Sequence, residues 1–173
     1  MSNFAQRMLG AAKFRVEIFE EVEADHHATA QALAVVVISS VAAGVGFSRT
    51  WSLPAFVVGA VASLLGWLIW AALTYFIGTK ILPEPQTKSN IGELLRTTGF
   101  ASSPGVFHVL GQLPLIGDVV SWIVSAWMLV AMVIAVRQAL DYRSTGRAVG
   151  VCVIGWLVYV AVALFFGNQP ELQ

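Results

Sequence analysis

Residues 99–118 read GFASSPGVFHVLGQLPLIGD, and the fold turns on whether this stretch crosses a membrane or only dips into one. It is mostly apolar, yet it carries Pro104, Pro114, His108, Gln112 and four glycines. From Pro104 to Ile116 it offers 13 residues, about 20 Å as an α-helix, which is too short for a hydrocarbon core of about 30 Å. Counted from Phe100 it reaches 17, the lower limit for a span. Its path decides which side of the membrane every later loop occupies.

The rest of the chain leaves no doubt about the solvent. Hydrophobic residues make up 57% of 173 positions, charged residues 12%, and mean hydropathy is +0.76, whereas soluble domains carry roughly 25% charge. The charge is missing from continuous windows. Residues 28–47, 53–78, 119–136 and 148–167 contain none, and each is long enough to span or close to it. A zero formal net charge provides no global field to attract nucleic acid. The single cysteine, Cys152, rules out an intrachain disulfide and a cysteine-built zinc site. Five acids within the first 25 residues, and no apolar run among them, argue against a cleavable leader.

Basic residues decide the path of the opening stretch, because cytoplasmic loops retain Lys and Arg. If it crosses, the tail (Arg7, Lys13, Arg15), the second connection (Lys80, Lys88, Arg96) and the fourth (Arg137, Arg143, Arg147) share one side. That side then holds nine basic residues and the other holds only Arg49. If it dips and returns, the split is six against four. The sequence therefore predicts an all-α, polytopic membrane bundle of five transmembrane helices: 28–47, 53–78, 100–116, 119–136 and 148–167. The N-terminus is expected in the cytoplasm and the C-terminus outside a bacterial cytoplasmic (inner) membrane. Residues 1–27 read as a cytoplasmic tail, 28–167 as the membrane domain and 168–173 as a short outer tail.

Local signals refine this outline. Asn90 followed by Glu93 is a capping-box pattern opening a short interfacial helix, which Gly99 can end. Ser103 then reads as an N-cap with Pro104 at the first helical position, and Gly117-Asp118 as a turn. In the tail, Phe4, Met8, Ala11, Phe14, Ile18 and Val22 recur at helical spacing, which predicts an amphipathic helix on the membrane surface. Small residues four apart, such as Ser40-Gly44, Ala42-Gly46 and Ser121-Ser125, allow close helix packing. Trp67 and Trp127 fall inside their spans, where packing is the default role.

No residue cluster specifies a reaction. GxSxG, HExxH and P-loop patterns are absent, no serine has a matching histidine and acid, and the chain reads as non-enzymatic with no cofactor. His26-His27 with Glu23 has metal-binding spacing but no second cluster, so a solvated helix edge is the better account and no metal is assigned. Polar residues at membrane depth are costly and mark function, which singles out His108, Gln112 and Asp118 as a candidate site. Pro104 and the basic Arg96, Arg137 and Arg147 at span ends complete the candidate set. The favoured reading is a membrane-organising scaffold. Its partners are the bilayer, membrane or cytosolic proteins, or a second copy of the chain. The alternative is a small transporter or channel component using His108, Gln112 and Asp118.

The same residues carry a resemblance. Leu95-Arg96 before Gly99-Phe100, then Ala101 and Pro104, the Pro114-Leu115-Ile116-Gly117 turn, the Trp127 helix ending at Arg137, and Arg147-Ala148 opening the last span resemble the bacterial branch of the Yip (Ypt-interacting protein) family. The resemblance covers roughly residues 70–162 and implies five spans with a cytoplasmic N-terminus. Eukaryotic members are associated with Rab-type GTPases, but their long cytosolic N-terminal region and DLYGP-like motif have no counterpart here. The GTPase association is therefore not carried over.

Overall fold

The computed structural model describes residues 2–47 and 52–167, without the side chains of residues 55 and 162–167. The described residues form helices and turns and contain no strand. Helix α1 (Phe4–Ala12) and α2 (Val16–Ala24) make up the tail, followed by α3 (Ala28–Phe47) and α4 (Leu53–Phe76). A π-helical turn (Ile77–Ile81) extends α4; then come α5 (Ile91–Ala101), a 3₁₀ segment (Ser103–Gln112), α6 (Gly117–Ala139) and α7 (Thr145–Gly167).

Three helical stretches are long and apolar enough to cross a membrane, namely Ala28–Phe47, Phe56–Ile81 and Gly117–Ala139. The described apolar part of α7, Thr145–Ala161, is shorter. Of the five expected transmembrane helices, three qualify by length and composition among the described residues. The opening stretch is not an α-helix over residues 100–116. Helix α5 runs on through Gly99 to Ala101, and a ten-residue 3₁₀ segment follows. Arg49 and residues 168–173 lie outside the described residues.

The change of helix type has a local cause. Pro104 has no N–H to give to the carbonyl of Phe100, and the Ser103 hydroxyl donates there instead at 2.6 Å. Ser103 thus bonds backwards into α5 rather than capping a new helix. Gly105 N–H turns to Ser102 O at 2.8 Å, the tighter pattern that gives a 3₁₀ helix its rise of about 2.0 Å per residue. Leu113 leaves it extended (ψ 124°), as the residue before Pro114 must be.

Contacts along α3 show the direction of this stretch. A Cβ added at Gly99 would lie 2.7 Å from Ala32 Cβ, and one at Gly105 would lie 2.9 Å from Ser39 Cβ. One at Gly46 would lie 2.7 Å from the carbonyl carbon of His108. Both sets of numbers rise together, so the stretch runs parallel to α3 from the level of Ala32 to that of Gly46. Seven helical residues from Ser39 to Gly46 rise about 10 Å, and six 3₁₀ residues from Gly105 to Gly111, where an added Cβ would lie 3.0 Å from Gly46 O, about 12 Å. The apparently short piece matches its neighbour by being wound more tightly.

The other helices alternate around it. Gly44 faces Phe56 and Gly78 faces Leu140, so α4 returns to the end where α3 began. Gly117 sits against Gly111, and α6 also returns to that end. Gly150 by Leu82 and Gly155 by Trp70 make α7 antiparallel to α4. One core cluster joins the tail to α3, α5 and α6 through Phe19, Val22, Val35, Phe100 and Ala131. The other joins α4, α5, α6 and α7 through Ile77, Leu94, Val136, Leu140 and Val151. The outer faces carry exposed Leu65, Ile69, Ile123, Leu129, Trp156 and Leu157, an apolar surface that suits hydrocarbon rather than water.

The single amphipathic helix read from the tail is two helices. Phe14 adopts φ 60° between them, and both Gly10 and Ile18 pack at the resulting hairpin. An Asn3–Gln6 capping box opens α1, with both bonds at 2.9 Å. The apolar face of the tail, including Ala11, Ile18, Phe19 and Val22, is buried against the bundle.

Candidate functional site

The sequence candidates fall into two regions. One is a cavity at mid-height of the bundle, where α3, α4, the 3₁₀ segment and α6 meet. It measures about 340 Å³, and its lining includes Ser39, Ser63, Ser102, His108 and Trp70. His108 is buried, with Nε2 3.4 Å from Ser125 Oγ and its ring centroid 5.3 Å from that of Phe47. Ser39 Oγ donates to Ser102 O at 2.7 Å. Ser63 donates to Gly59 O at 2.8 Å and Ser40 to Val36 O at 2.7 Å. These hydroxyl protons are consumed by backbone carbonyls, and the oxygens remain as acceptors.

Asp118 lies outside this cavity, exposed in the first turn of α6. It lines a second cavity of about 390 Å³ with Ser121, Ser125, Trp122 and Phe47. Ser125 therefore borders that cavity and touches His108, which borders the first. Gln112 stands apart, its Nε2 bonded to Val45 O near the end of α3. His108 thus meets Ser125, which shares a cavity lining with Asp118, and Gln112 fastens two segments. Pro104 is buried at the α-to-3₁₀ junction.

The three arginines lie at the opposite end, where the connections interlock. Buried Arg96 donates from Nε to Val22 O at 2.9 Å and to Glu23 O at 3.1 Å, tying α5 to the tail. Arg137 Nε reaches Tyr142 O at 3.2 Å. Arg147 reaches Glu84 Oε1 at 3.5 Å and Pro83 O at 2.6 Å. Glu84 also accepts from the backbone N–H of Arg143 at 3.0 Å and of Ser144 at 3.3 Å. The Arg143 amide leads, ahead of the Gln86 side chain and the Ser144 amide, in holding its carboxyl below the usual carboxylate range. The Tyr142 hydroxyl lies 2.9 Å from Gly78 O and 2.7 Å from Leu82 O, closing the π-helical turn. Burial pushes its pKa up to about 12, so it stays a donor.

Arg7 is the fixed point of the tail. It is buried and pairs with Glu21 at 2.9 Å and Asp25 at 2.8 Å, with Gln31 of α3 at 2.9 Å. Glu23 is the unusual acid at this end. Burial, then repulsion from Glu93 and Asp141, raises its pKa to about 7. Sequence reading missed Arg7, Tyr142, Glu84 and Trp70, because none stands out by spacing; each matters through a partner distant in the chain. Among the described residues no group of three His, Cys, Asp or Glu could hold a metal.

Apolar outer faces, long uncharged helices and a polar, interlocked end define an all-helical membrane protein. Within that class the chain belongs to the Yip1 domain family, whose family model matches residues 15–166. The match begins at Arg15 and so leaves α1 outside it. No curated protein and no solved structure matches the chain.

Proposed function

We propose that this protein is a non-enzymatic, five-span scaffold of a cytoplasmic membrane that presents the interlocked end of its bundle to protein partners. The parallel run of residues 99–112 beside α3 supports the crossing that this topology needs. It gathers the Val22–Asp25 end of the tail, the 82–90 connection and the 140–147 connection at one end, where Arg96, Arg137 and Arg147 also lie. Glu84, Tyr142, Arg96 and Arg7 each bond across two segments there. A polar surface whose loops are cross-tied is pre-organised, so a partner loses little by ordering it.

The test has two arms. In intact cells carrying Cys152→Ala, a cysteine at Gln86 or Thr145 is expected to resist an impermeant thiol reagent, and one at Pro170 to react. Reaction at Thr145 would put the last connection outside and end the five-span reading. Partners co-purified in mild detergent are expected to be lost with Glu84→Ala; retention of every partner by that variant would count against the platform.

A second reading is favoured by the line Asp118, Ser121, Ser125 and His108, which leads from the outer end of α6 to the central cavity. It makes the protein a small-solute transporter or channel component. Loss of solute flux on His108→Ala, with thermal stability retained, would move the assignment to this reading.

A further inference from the structure

The tail hairpin reaches much further along the bundle than a helix resting on a membrane surface would. Helix α1 starts beside α5, with the Phe4 and Phe100 ring centroids 6.5 Å apart. It ends on α6, where Trp127 Nε1 donates to Ala12 O at 2.7 Å. Phe14 then meets the Trp127 ring at 6.5 Å, and Glu20 accepts from Gln138 Nε2 at 3.2 Å. Helix α2 therefore runs beside the half of α6 that leads to the interlocked end. From Trp127 to Ala139, the last residue of α6, the helix rises about 18 Å. The hairpin tip, Lys13-Phe14-Arg15, stands that far from the interlocked end.

Only one face of this hairpin is apolar. Ala11, Ile18, Phe19 and Val22 are buried, while Gln6, Lys13, Glu17 and Glu20 are exposed. Ionised side chains in hydrocarbon are costly, so water or lipid headgroups must cover this side of the bundle as far as the tip. Beyond it, α6 from Trp127 back to Gly117 offers hydrocarbon about 15 Å, half of a core of about 30 Å. On α4, by contrast, apolar residues are exposed from Leu53 to Phe76, about 35 Å of helix. Trp127 thus lies at a boundary between water and hydrocarbon, where tryptophan is favoured, and it stacks on Phe107 at 5.5 Å.

The chemistry of the tip suits phosphate at that boundary. Lys13 and Arg15 are both exposed, and neither has a carboxylate at ion-pair distance among the described residues. They line an open cleft of about 620 Å³ whose one acid is Glu17, leaving one net positive charge. A guanidinium fork and an ammonium both hold phosphate oxygens well. Leu9 and Phe14 are exposed beside them, which suits a phosphate that carries acyl chains rather than a free one.

We propose that the hairpin tip is a docking surface for anionic phospholipid headgroups of the leaflet on the tail's side. Lys13 and Arg15 hold the phosphate, Leu9 and Phe14 meet the first acyl carbons, and the bilayer is thinned beside the tail. This surface does not depend on the scaffold reading, and it lies away from the interlocked end.

The test uses the full chain in vesicles of phosphatidylcholine and phosphatidylglycerol. In a Cys152→Ala background, a bimane attached at Leu9→Cys is expected to be quenched more by a headgroup nitroxide lipid than by one labelled at the acyl-chain end. Stronger quenching by the chain-end nitroxide would put the tip in hydrocarbon, and none by either would lift it out of the bilayer; both overturn the proposal. Native mass spectra of the protein released from mixed-lipid nanodiscs then report which lipid stays bound. Phosphatidylglycerol should be retained about fivefold over phosphatidylcholine, the effect of one net basic charge at a membrane surface. Lys13→Gln combined with Arg15→Gln should abolish that preference. Lys80→Gln combined with Lys88→Gln removes two exposed cations elsewhere and should preserve it. No preference in the native chain, an unchanged preference in the tip variant, or an equal loss in the Lys80/Lys88 variant would each overturn the site.

Discussion

Gly46→Ala is the sharpest probe of how the 3₁₀ segment lies against α3. The added methyl would sit 2.7 Å from the His108 carbonyl carbon, against an ordinary contact of 3.4–4 Å. The obstacle is backbone, and the His108 carbonyl oxygen lies closer still than its carbon, so no side chain can swing away and the segments must separate by more than about 1 Å. A gap of that size forfeits about half or more of each lost dispersion contact, and overpacking typically costs about 1–3 kcal/mol. A backbone obstacle puts the cost at about 2–3 kcal/mol, and alanine returns up to about 1 kcal/mol through helix propensity, which leaves a net loss of about 1–2 kcal/mol. At about 2–4 °C per kcal/mol for a chain of this size, Tm should fall by about 2–8 °C. Gly59→Ala is the control, because nothing lies within 4 Å of its Cβ position, and it should be neutral or slightly stabilising. The readout is the fraction remaining monodisperse by size exclusion after heating in detergent. Equal Tm values for the two variants would refute the parallel packing.

Other outcomes follow from single contacts. Glu23 titrates near 7 when folded against 4.5 ordinarily, so the folded protein binds a proton that the unfolded chain lacks between those values. Stability should therefore fall as pH rises from about 4.5 to about 7, and stay reduced above that. The ceiling is about 3 kcal/mol, and partial exposure brings the expectation to about 1 kcal/mol. Glu23→Gln should raise Tm at pH 8 and flatten the profile from pH 5 to 8; an unchanged slope would assign the effect elsewhere. Leu115 is fully exposed with φ 71°, so Leu115→Gly should gain about 1 kcal/mol by relieving left-handed strain, read as a higher midpoint in thermal scans. Pro104→Ala restores an N–H that competes with Ser103 for Phe100 O. A continued α-helix would shorten the ten residues from about 20 to about 15 Å, drawing Gln112 away from Val45. Reduced thermal stability, larger than that of His108→Ala, is expected; the reverse order would argue that the junction is not set by proline.

Much of the architecture was legible because a bilayer imposes one-dimensional rules. Uncharged windows mark the long helices, and Asn90 with Glu93 marks the start of α5, with bonds of 3.0 and 3.1 Å. The opening stretch was harder for a reason contained in the arithmetic. Length was converted at an α-helical rise, whereas Pro104 and Ser103 switch the chain to a 3₁₀ pitch that covers more distance per residue. Gly99 looked like a helix stop, yet its function is close approach to Ala32. Glycine serves both purposes, and spacing alone does not separate them. The tail misled in another way: its periodicity runs straight through Phe14, while the backbone turns there at φ 60° and folds the apolar face onto the bundle.

The site residues divide along the same line. His108 and Asp118 were visible because polarity inside an apolar run is a local anomaly. Gln112 was equally anomalous, but it bonds to Val45 O, so anomaly located an expense without revealing its use. Trp70 shows the converse. A tryptophan within a span reads as packing, and Trp67 bears this out by donating to Thr98 at 3.2 Å and lying in the core. Three residues later the same side chain faces two cavities, and its N–H meets no partner among the described residues. The difference arises from which helices approach each position. Thr98 of α5 reaches Trp67, while serine hydroxyls already committed to carbonyls surround the space beside Trp70. Hydrogen-bond supply in a membrane bundle is settled between helices, so two tryptophans one turn apart on α4 differ in it.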